Sequence, residues 1–243
     1  GEEKDYPLLV YFHGGGWVIG DCNTVDNISR FFCRHIPCAV LSVEYRLAPE
    51  HPFPAAVEDA LSAVEWAAAH ARELNADPAR LLVGGDSSGG NLSAVVAQQT
   101  RDKGTPRLAA QVLLYAVTDG SSLETPSYRT FGEKSLGLSK KDMKWFLDQY
   151  APDAETRLDP RLSPSLSKNL QNLPPALVVT AEFDVLRDEA ETYAYQMQEA
   201  GVPVQLMRCN GMTHGFLSTV GLIHRSTQYF HQIISAVQKM LAV

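Results

Sequence analysis

The sequence lacks several features that would place it in a large functional class. Its 243 residues contain no apolar run close to the roughly 20 residues that a membrane-spanning helix needs. Basic residues are outnumbered, 21 Lys and Arg against 28 Asp and Glu, so the formal charge is −7 and no nucleic-acid or anionic-membrane surface is expected. Residues 1–5 also lack the apolar segment of a signal peptide, and we therefore expect a cytoplasmic protein.

Cysteine is scarce and is not arranged for metal binding. The four cysteines, Cys22, Cys33, Cys38 and Cys209, include no C-x-x-C pair, and no histidine stands at the spacing of a zinc site. A chain of this size does not need disulfides to build a core. We expect free, buried thiols and no bound metal.

Short apolar runs alternate with longer helical patterns, which is typical of βαβ units. The predicted strands are 8–12, 39–44, 81–84, 110–115, 176–180 and 204–208, and the predicted helices are 25–35, 55–70, 91–102, 187–200 and 222–241. Several strands are continuously apolar, as expected when helices cover both faces of a parallel sheet. The sequence therefore predicts a single α/β domain over residues 1–243, with a mostly parallel, doubly wound sheet.

Residues 119–175 depart from this alternation. They are polar and rich in proline, and only 139–150 has a clear helical pattern, with Ser139 at its cap position. Long excursions of this kind in α/β domains are often functional. We expect a cap or substrate-binding insertion here, the alternative being a surface decoration.

A candidate nucleophile follows the predicted strand 81–84. Gly85-Asp86-Ser87-Ser88-Gly89 has the pattern G-x-S-x-G, which alone is a weak signal. Between a strand and a helix, however, two flanking glycines permit the sharp turn that exposes a nucleophilic serine hydroxyl. The sequence predicts Ser87 as that nucleophile.

Three consecutive glycines, Gly14, Gly15 and Gly16, follow the first predicted strand. Uncovered backbone N–H groups of this kind can hold the oxyanion of a tetrahedral intermediate. The Ser88 N–H, at the start of the helix after the nucleophile, is a further predicted donor. The alternative, a phosphate cradle, lacks a Walker lysine or a second glycine motif.

A base and an acid are predicted after two later strands. Of seven histidines, His214 lies in a loop with glycines nearby, whereas the others lie in helical or proline-rich patterns, except His13, which precedes the glycines and is expected to anchor their loop. Asp184 lies just past the end of the predicted strand 176–180, with Glu182 as the rival acid. The order Ser87, Asp184, His214 is the chain order that this fold class uses for a nucleophile, an acid and a base.

Together these motifs resemble the hormone-sensitive lipase family of α/β-hydrolases, which includes bacterial carboxylesterases and arylacetamide deacetylases. The resemblance spans nearly the whole chain and rests on residues 13–17, 45–55, 85–91, 184–189 and 214–216. It implies cofactor-free hydrolysis of short-to-medium acyl esters of small molecules. It also implies Ser87, Asp184 and His214 as the catalytic residues, Gly14, Gly15 and Ser88 as oxyanion donors, and a possible homodimer through the last strand.

Two departures from the family affect the expectations. Members usually carry alanine at the position of Ser88, which should matter little for a backbone donor. They also carry some tens of residues before the glycine motif, whereas twelve precede His13 here. We therefore expect the N-terminal cap and the first strands to be absent from this chain, with one sheet edge exposed.

The substrate pocket and the reaction leave alternatives open. Trp17 and Phe216 are apolar candidates for lining the pocket, although both could equally pack in the core. The same constellation could hydrolyse amides or formamides. A non-catalytic small-molecule receptor of this fold is also conceivable, but the plant gibberellin receptors lack the histidine that is present here.

Overall fold

The computed structural model describes residues 5–134 and 136–241, and its centre is a six-stranded sheet. The spatial order of the strands is β2-β1-β3-β4-β5-β6, and every neighbouring pair is parallel. The strands are β1 (Tyr6–Phe12), β2 (Ala39–Val43), β3 (Ala76–Asp86), β4 (Ala110–Leu114), β5 (Ala176–Phe183) and β6 (Val204–Thr213). The prediction of an α/β-hydrolase fold built on a parallel sheet is confirmed.

Helices cover both faces of the sheet. They are α1 (Asp26–His35), α2 (Ala55–His70), α3 (Ser88–Lys103), α4 (Pro126–Phe131), α5 (Lys140–Tyr150), α6 (Arg187–Glu199) and α7 (His224–Leu241). Alternate residues of β1 serve the two faces: Leu8 and Val10 pack with α2 and α3, whereas Leu9 and Tyr11 pack with α1 and α7. Because both faces are buried, β1 is apolar throughout and shows no polar alternation. No helix among residues 5–134 and 136–241 is long and apolar enough to cross a membrane.

Four strands are longer than predicted, and the two largest extensions are those of β3 and β6. β3 begins at Ala76, which pairs with Tyr6. The polar residues 77–80 have no register partner on β1, because the register shifts before Leu8 pairs with Leu81. β6 continues to Thr213, beyond the predicted end at residue 208. Its extension pairs Cys209 with Ala181 and, after an irregularity, Thr213 with Phe183.

The segment 119–175 contains α4, α5 and two short 3-10 turns, Thr156–Leu158 and Pro164–Leu166. α4 had no clear sequence signal because it is only six residues long. Helix α5 starts as predicted, with a capping box at its first turn. The Ser139 hydroxyl oxygen accepts the Asp142 N–H, and the Asp142 carboxylate accepts the Ser139 N–H. The segment is fastened to the core by Asn91, whose Nδ2 donates to the carbonyl oxygens of Val117 and Leu162.

The cysteines are free, but they are not uniformly buried. Only Cys209 is fully buried; Cys22 and Cys38 are half-buried and Cys33 is exposed. The expectation of buried thiols is therefore wrong for Cys33, which lies on the solvent side of the amphipathic helix α1.

Candidate active site

Ser87 lies at a sharp turn between β3 and α3, and its backbone is strained. Its φ of 56° and ψ of −119° are unusual for a residue with a side chain. Its N–H donates to the Leu114 carbonyl oxygen, and its own carbonyl accepts the Asn91 N–H of the first helical turn. Strand and helix therefore fix the serine in this conformation from both sides.

The two glycines around Ser87 are required by close packing. A Cβ on Gly89 would lie 1.9 Å from the Phe12 carbonyl oxygen, and one on Gly85 would lie 2.4 Å from the Gly89 carbonyl carbon. The turn is thus pressed against the end of β1. This agrees with the sequence argument that the turn needs residues without side chains on either side of the serine.

His214 bridges Ser87 and Asp184. Its Nε2 lies 3.0 Å from Ser87 Oγ, and its Nδ1 lies 2.8 Å from Asp184 Oδ2. A carboxylate only accepts, so Nδ1 carries the proton, which leaves Nε2 of the neutral ring to accept the Ser87 hydroxyl. Since Thr213 and Phe183 are register partners on parallel strands, the residues that follow them, His214 and Asp184, emerge side by side.

The surroundings of His214 alter its basicity. Burial by itself would lower the pKa of the imidazole, but the charge and hydrogen bond of Asp184, with a contribution from Asp86, outweigh it and raise the pKa above its ordinary value. The second carboxylate oxygen of Asp184 accepts the Leu186 N–H at 3.0 Å, which fixes the orientation of the carboxylate. The ring is thereby held as a base directed at the serine.

Glu182, the rival acid, has a different partner. Its Oε2 accepts the Gly211 N–H at 2.6 Å, and its carbonyl oxygen accepts from Arg187. Gly211 has a φ of +78° and lies in the irregular end of β6 that leads to His214. Glu182 therefore supports this strand end, and the contact with the imidazole belongs to Asp184.

The glycine loop, residues 13–17, differs from the expectation at Gly14. The Gly14 N–H donates to Asp86 Oδ1 at 3.1 Å, so it is not available to an oxyanion in this structure. Among the described residues, the N–H groups of Gly15, Gly16 and Ser88 have no acceptor. The free donors are thus those of Gly15, Gly16 and Ser88 in place of the predicted Gly14, Gly15 and Ser88.

Gly15 and Gly16 each leave no space for a side chain, for different reasons. Gly15 has a φ of +120°, and a Cβ there would lie 2.0 Å from the Ile19 carbonyl oxygen. Gly16 has a φ of +59°, and a Cβ there would lie 2.3 Å from the Phe146 ring. His13 anchors the loop as expected, since its Nδ1 donates to the Gly14 carbonyl oxygen and its ring stacks on Tyr45.

Neither predicted pocket residue lines an open surface. Trp17 is fully buried and stacks on Tyr150 at a centroid distance of 4.5 Å, so the indole packs in the core. Phe216 is 4% exposed and packs edge-on against Tyr115. The alternative of core packing thus describes both residues.

Sequence reasoning missed Tyr115, which follows β4 and contacts His214. The Tyr115 ring packs edge-on against the His214 ring, with 5.1 Å between the ring centroids. The φ of Tyr115, 37°, is unusual for an aromatic residue. A cavity of about 270 Å³ next to the site is bounded by Tyr115, Asp86, Gly15 and Ile19. The available signal was position: Tyr115 stands directly after the strand beside β3, where functional side chains of this fold collect.

The segment 119–175 reaches the site at two points. Phe146 of α5 lies against Gly16 in the glycine loop, and Gly137, with a φ of +94°, lies so close to the His214 carbonyl oxygen that a Cβ would be 2.8 Å away. The Phe146 ring is half-buried. The segment therefore contacts both the glycine loop and the backbone of His214.

The fold and this constellation are those of an α/β hydrolase, and a family model described as alpha/beta hydrolase fold matches residues 9–218. The carboxylic ester hydrolase LipN of Mycobacterium tuberculosis is 49% identical over 242 residues, which are 97% of this chain and 64% of LipN. The ethyl acetate hydrolase of Pseudomonas putida is 39% identical over 236 residues, 96% of this chain and 73% of that protein.

A solved structure of a carboxylesterase has the same fold as this chain. The thermophilic carboxylesterase EstE1, cloned from a metagenomic library, superposes with a TM-score of 0.95 at 42% identity, covering 98% of this chain and 81% of EstE1. The chain belongs to the hormone-sensitive-lipase-like family of α/β hydrolases. It spans somewhat less than two thirds of the length of LipN.

Proposed function

We propose that this chain is a serine carboxylesterase acting on small acyl esters through an acyl-enzyme. The observation that carries the proposal is the continuous hydrogen-bonded series from Asp184 through His214 to Ser87, at 2.8 and 3.0 Å. The names of the relatives, a carboxylic ester hydrolase and an ethyl acetate hydrolase, agree with it.

In the first step Ser87 Oγ attacks the ester carbonyl carbon while His214 Nε2 takes the hydroxyl proton. Asp184 keeps the proton on Nδ1 and stabilises the imidazolium that forms. The carbonyl oxygen becomes an anion, for which the unpaired N–H groups of Gly15, Gly16 and Ser88 are the proposed donors. Collapse of the intermediate expels the alcohol, which takes its proton from His214.

In the second step water attacks the acyl-enzyme. His214 Nε2 removes a proton from the water, the same donors hold the second oxyanion, and the proton returns to Ser87 Oγ as the carboxylic acid leaves. The helix dipole of α3, whose first residue is Ser88, favours the negative charge in both intermediates.

We further propose that the segment 119–175 forms one wall of the substrate pocket. Its support is the contact of the half-buried Phe146 ring with Gly16, one of the proposed donors. An apolar ring next to a proposed oxyanion donor would contact the acyl or alcohol chain of a bound ester. Pairing of two chains through β6 is also proposed, because β6 forms an edge of the sheet, and the mass in solution tests it.

The test of the proposed activity is hydrolysis of p-nitrophenyl esters from acetate to dodecanoate by the wild type and by Ser87→Ala. We expect highest kcat/KM for short-to-medium acyl chains and loss of at least 10³-fold in kcat in the variant, with an unchanged melting temperature. A matched anilide series separates esterase from amidase activity. Undiminished turnover by Ser87→Ala would refute the mechanism, and tight ligand binding without product would favour a receptor.

A further inference from the structure

Asp86 occupies a position between the Ser87 turn and the glycine loop. It is the last residue of β3, and its side chain points toward the loop that follows the neighbouring strand β1. Its Oδ1 accepts two hydrogen bonds, one from the Tyr11 hydroxyl at 3.0 Å and one from the Gly14 N–H at 3.1 Å. A single oxygen atom thus joins the nucleophile strand to the first peptide group of the glycine loop.

The absence of a side chain at Gly14 is explained by this contact. A Cβ at Gly14 would lie 2.4 Å from Asp86 Oδ2 and 3.0 Å from the Asp86 carbonyl oxygen. Unlike Gly15 and Gly16, Gly14 does not have a positive φ, so its backbone conformation is open to other residues. Glycine at position 14 therefore makes room for the Asp86 carboxyl group.

The groups around Asp86 leave Oδ1 an acceptor. Burial raises the pKa of Asp86, and the Tyr11 hydroxyl, the nearby rings of His214 and His13, and the Gly14 N–H oppose that rise. Burial and the adjacent Asp86 raise the pKa of Tyr11, so its hydroxyl keeps the proton that it donates. Both bonds to Oδ1 form whether or not Oδ2 carries a proton.

We propose that Asp86 is a positioning residue that holds the glycine loop so that the Gly15 and Gly16 N–H groups point at the oxyanion. Three consecutive glycines have more conformational freedom to lose than any other tripeptide, so a loop made of them needs external fixation to present its donors. The Gly14 N–H supplies the attachment point and Asp86 Oδ1 supplies the acceptor. The inference rests on the proposed esterase function.

Preorganised donors act on the transition state, where the negative charge develops, more than on the bound ester. Loss of the fixation should therefore lower kcat and leave KM nearly unchanged. For Asp86→Ala we expect a fall in kcat of about 10²-fold with KM within about threefold, because loss of one donor alone costs about 10²- to 10³-fold. Asp86→Asn keeps an acceptor oxygen and should retain kcat within about tenfold.

Tyr11→Phe is the matched control. It removes the other hydrogen bond to the same oxygen and leaves the Gly14 contact, so kcat should stay within about threefold of the wild type. A trifluoromethyl ketone, which binds serine as a hemiketal oxyanion, gives a second readout. Its inhibition constant should rise in Asp86→Ala by about the same factor as kcat/KM falls, an effect that a merely structural role of Asp86 would not produce.

The experiment measures kcat, KM, the inhibition constant and the melting temperature for the wild type and each variant with p-nitrophenyl butyrate. The wild type and Ser87→Ala are assayed first, because an inactive wild type or an active Ser87→Ala would refute the proposed function and not the role of Asp86. If Asp86→Ala does not fold, Asp86→Leu, with the same branched shape and no acceptor, takes its place.

Three results would overturn the assignment of Asp86. The first is an acceptor-free variant with wild-type kcat, and the second is an equal loss in Asp86→Asn. The third is a loss confined to KM with no change in the inhibition constant. A fall in kcat that is rescued by asparagine and accompanied by weaker binding of the ketone would support it.

Discussion

Substituting asparagine for Asp184 should reverse the tautomer of His214. Asp184 is 1% exposed, with Oδ1 accepting the Leu186 N–H at 3.0 Å and Oδ2 accepting the His214 Nδ1–H at 2.8 Å. An asparagine must keep its carbonyl oxygen toward Leu186, because the N–H there needs an acceptor. Its amide nitrogen then faces His214 as a donor, which drives the ring proton from Nδ1 to Nε2.

A ring protonated at Nε2 cannot accept the proton of Ser87, so the rate should fall steeply. We expect a loss of about 10⁴-fold in kcat, the loss that the same substitution causes in serine proteases, or about 5.4 kcal/mol at 1.36 kcal/mol for each tenfold step. The backbone should be unaffected, since the replacement preserves the shape of the side chain. Circular dichroism and the melting temperature check this.

The pH dependence gives an independent readout. A general base must be neutral, so kcat/KM of the wild type should fall on the acid side with its midpoint above 6.5, because the pKa of His214 is raised. Without the Asp184 charge, burial lowers that pKa, and the midpoint of the residual activity should move to lower pH. Steady-state kinetics between pH 5 and 9 measures both midpoints.

Glu182→Gln is the control for this prediction, since glutamine can still accept the Gly211 N–H through its amide oxygen. Its kcat should remain within about threefold of the wild type. The reasoning is refuted if Asp184→Asn retains more than a tenth of wild-type kcat, or if Glu182→Gln loses as much activity as Asp184→Asn.

Three further predictions test other parts of the structure. Phe146→Ala should raise kcat/KM for octanoate relative to butyrate by about tenfold as the pocket wall recedes, and an unchanged ratio of p-nitrophenyl ester rates would argue against that wall. Gly89→Ala should yield little soluble protein, because its Cβ would lie 1.9 Å from the Phe12 carbonyl oxygen. Gly104 has a φ of +78° but open space around it, so Gly104→Ala should lower the free energy of unfolding by only about 1 kcal/mol. Equal expression and stability of the two variants would contradict this. Ser139→Ala should lower the free energy of unfolding by about 1 kcal/mol in urea titrations, and no change would mean that the cap contributes nothing.

The positions of the three catalytic candidates could be predicted because each stands directly after a strand. In a parallel sheet the carboxyl ends of all strands meet at one edge, so residues far apart in the chain, such as Ser87 and His214, become neighbours. The exact pairing could not be predicted. It depends on the irregular end of β6, where Asn210 and Gly211 have the composition of a turn but continue the strand as far as Thr213.

Pocket and core could not be separated by composition. Trp17 and Phe146 are both apolar residues associated with the glycine loop, yet Trp17 is fully buried on Tyr150 and Phe146 is half-buried beside Gly16. Hydrophobicity predicts removal from water, whereas the direction of a side chain is set by tertiary packing. The same limitation applies to Cys33, which faces solvent although cysteine is usually buried.

The glycine loop shows why a motif can locate a function without assigning its atoms. Three identical residues in a row carry no sequence signal that distinguishes them, and Gly14 and Gly15 are predicted as donors only through the resemblance to the hormone-sensitive lipase family. The three glycines differ because their neighbours differ. Gly14 leaves space for the Asp86 carboxyl group and donates its N–H to Asp86 Oδ1. Gly15 and Gly16 adopt positive φ, and their N–H groups have no acceptor. Asp86 directly precedes the proposed nucleophile Ser87 in the chain, and its side chain accepts the Gly14 N–H of the glycine loop. The proposed donors are therefore coupled to the nucleophile turn through one side chain, and Asp86→Asn, which keeps the acceptor oxygen, separates this coupling from the contribution of the Asp86 charge to the pKa of His214.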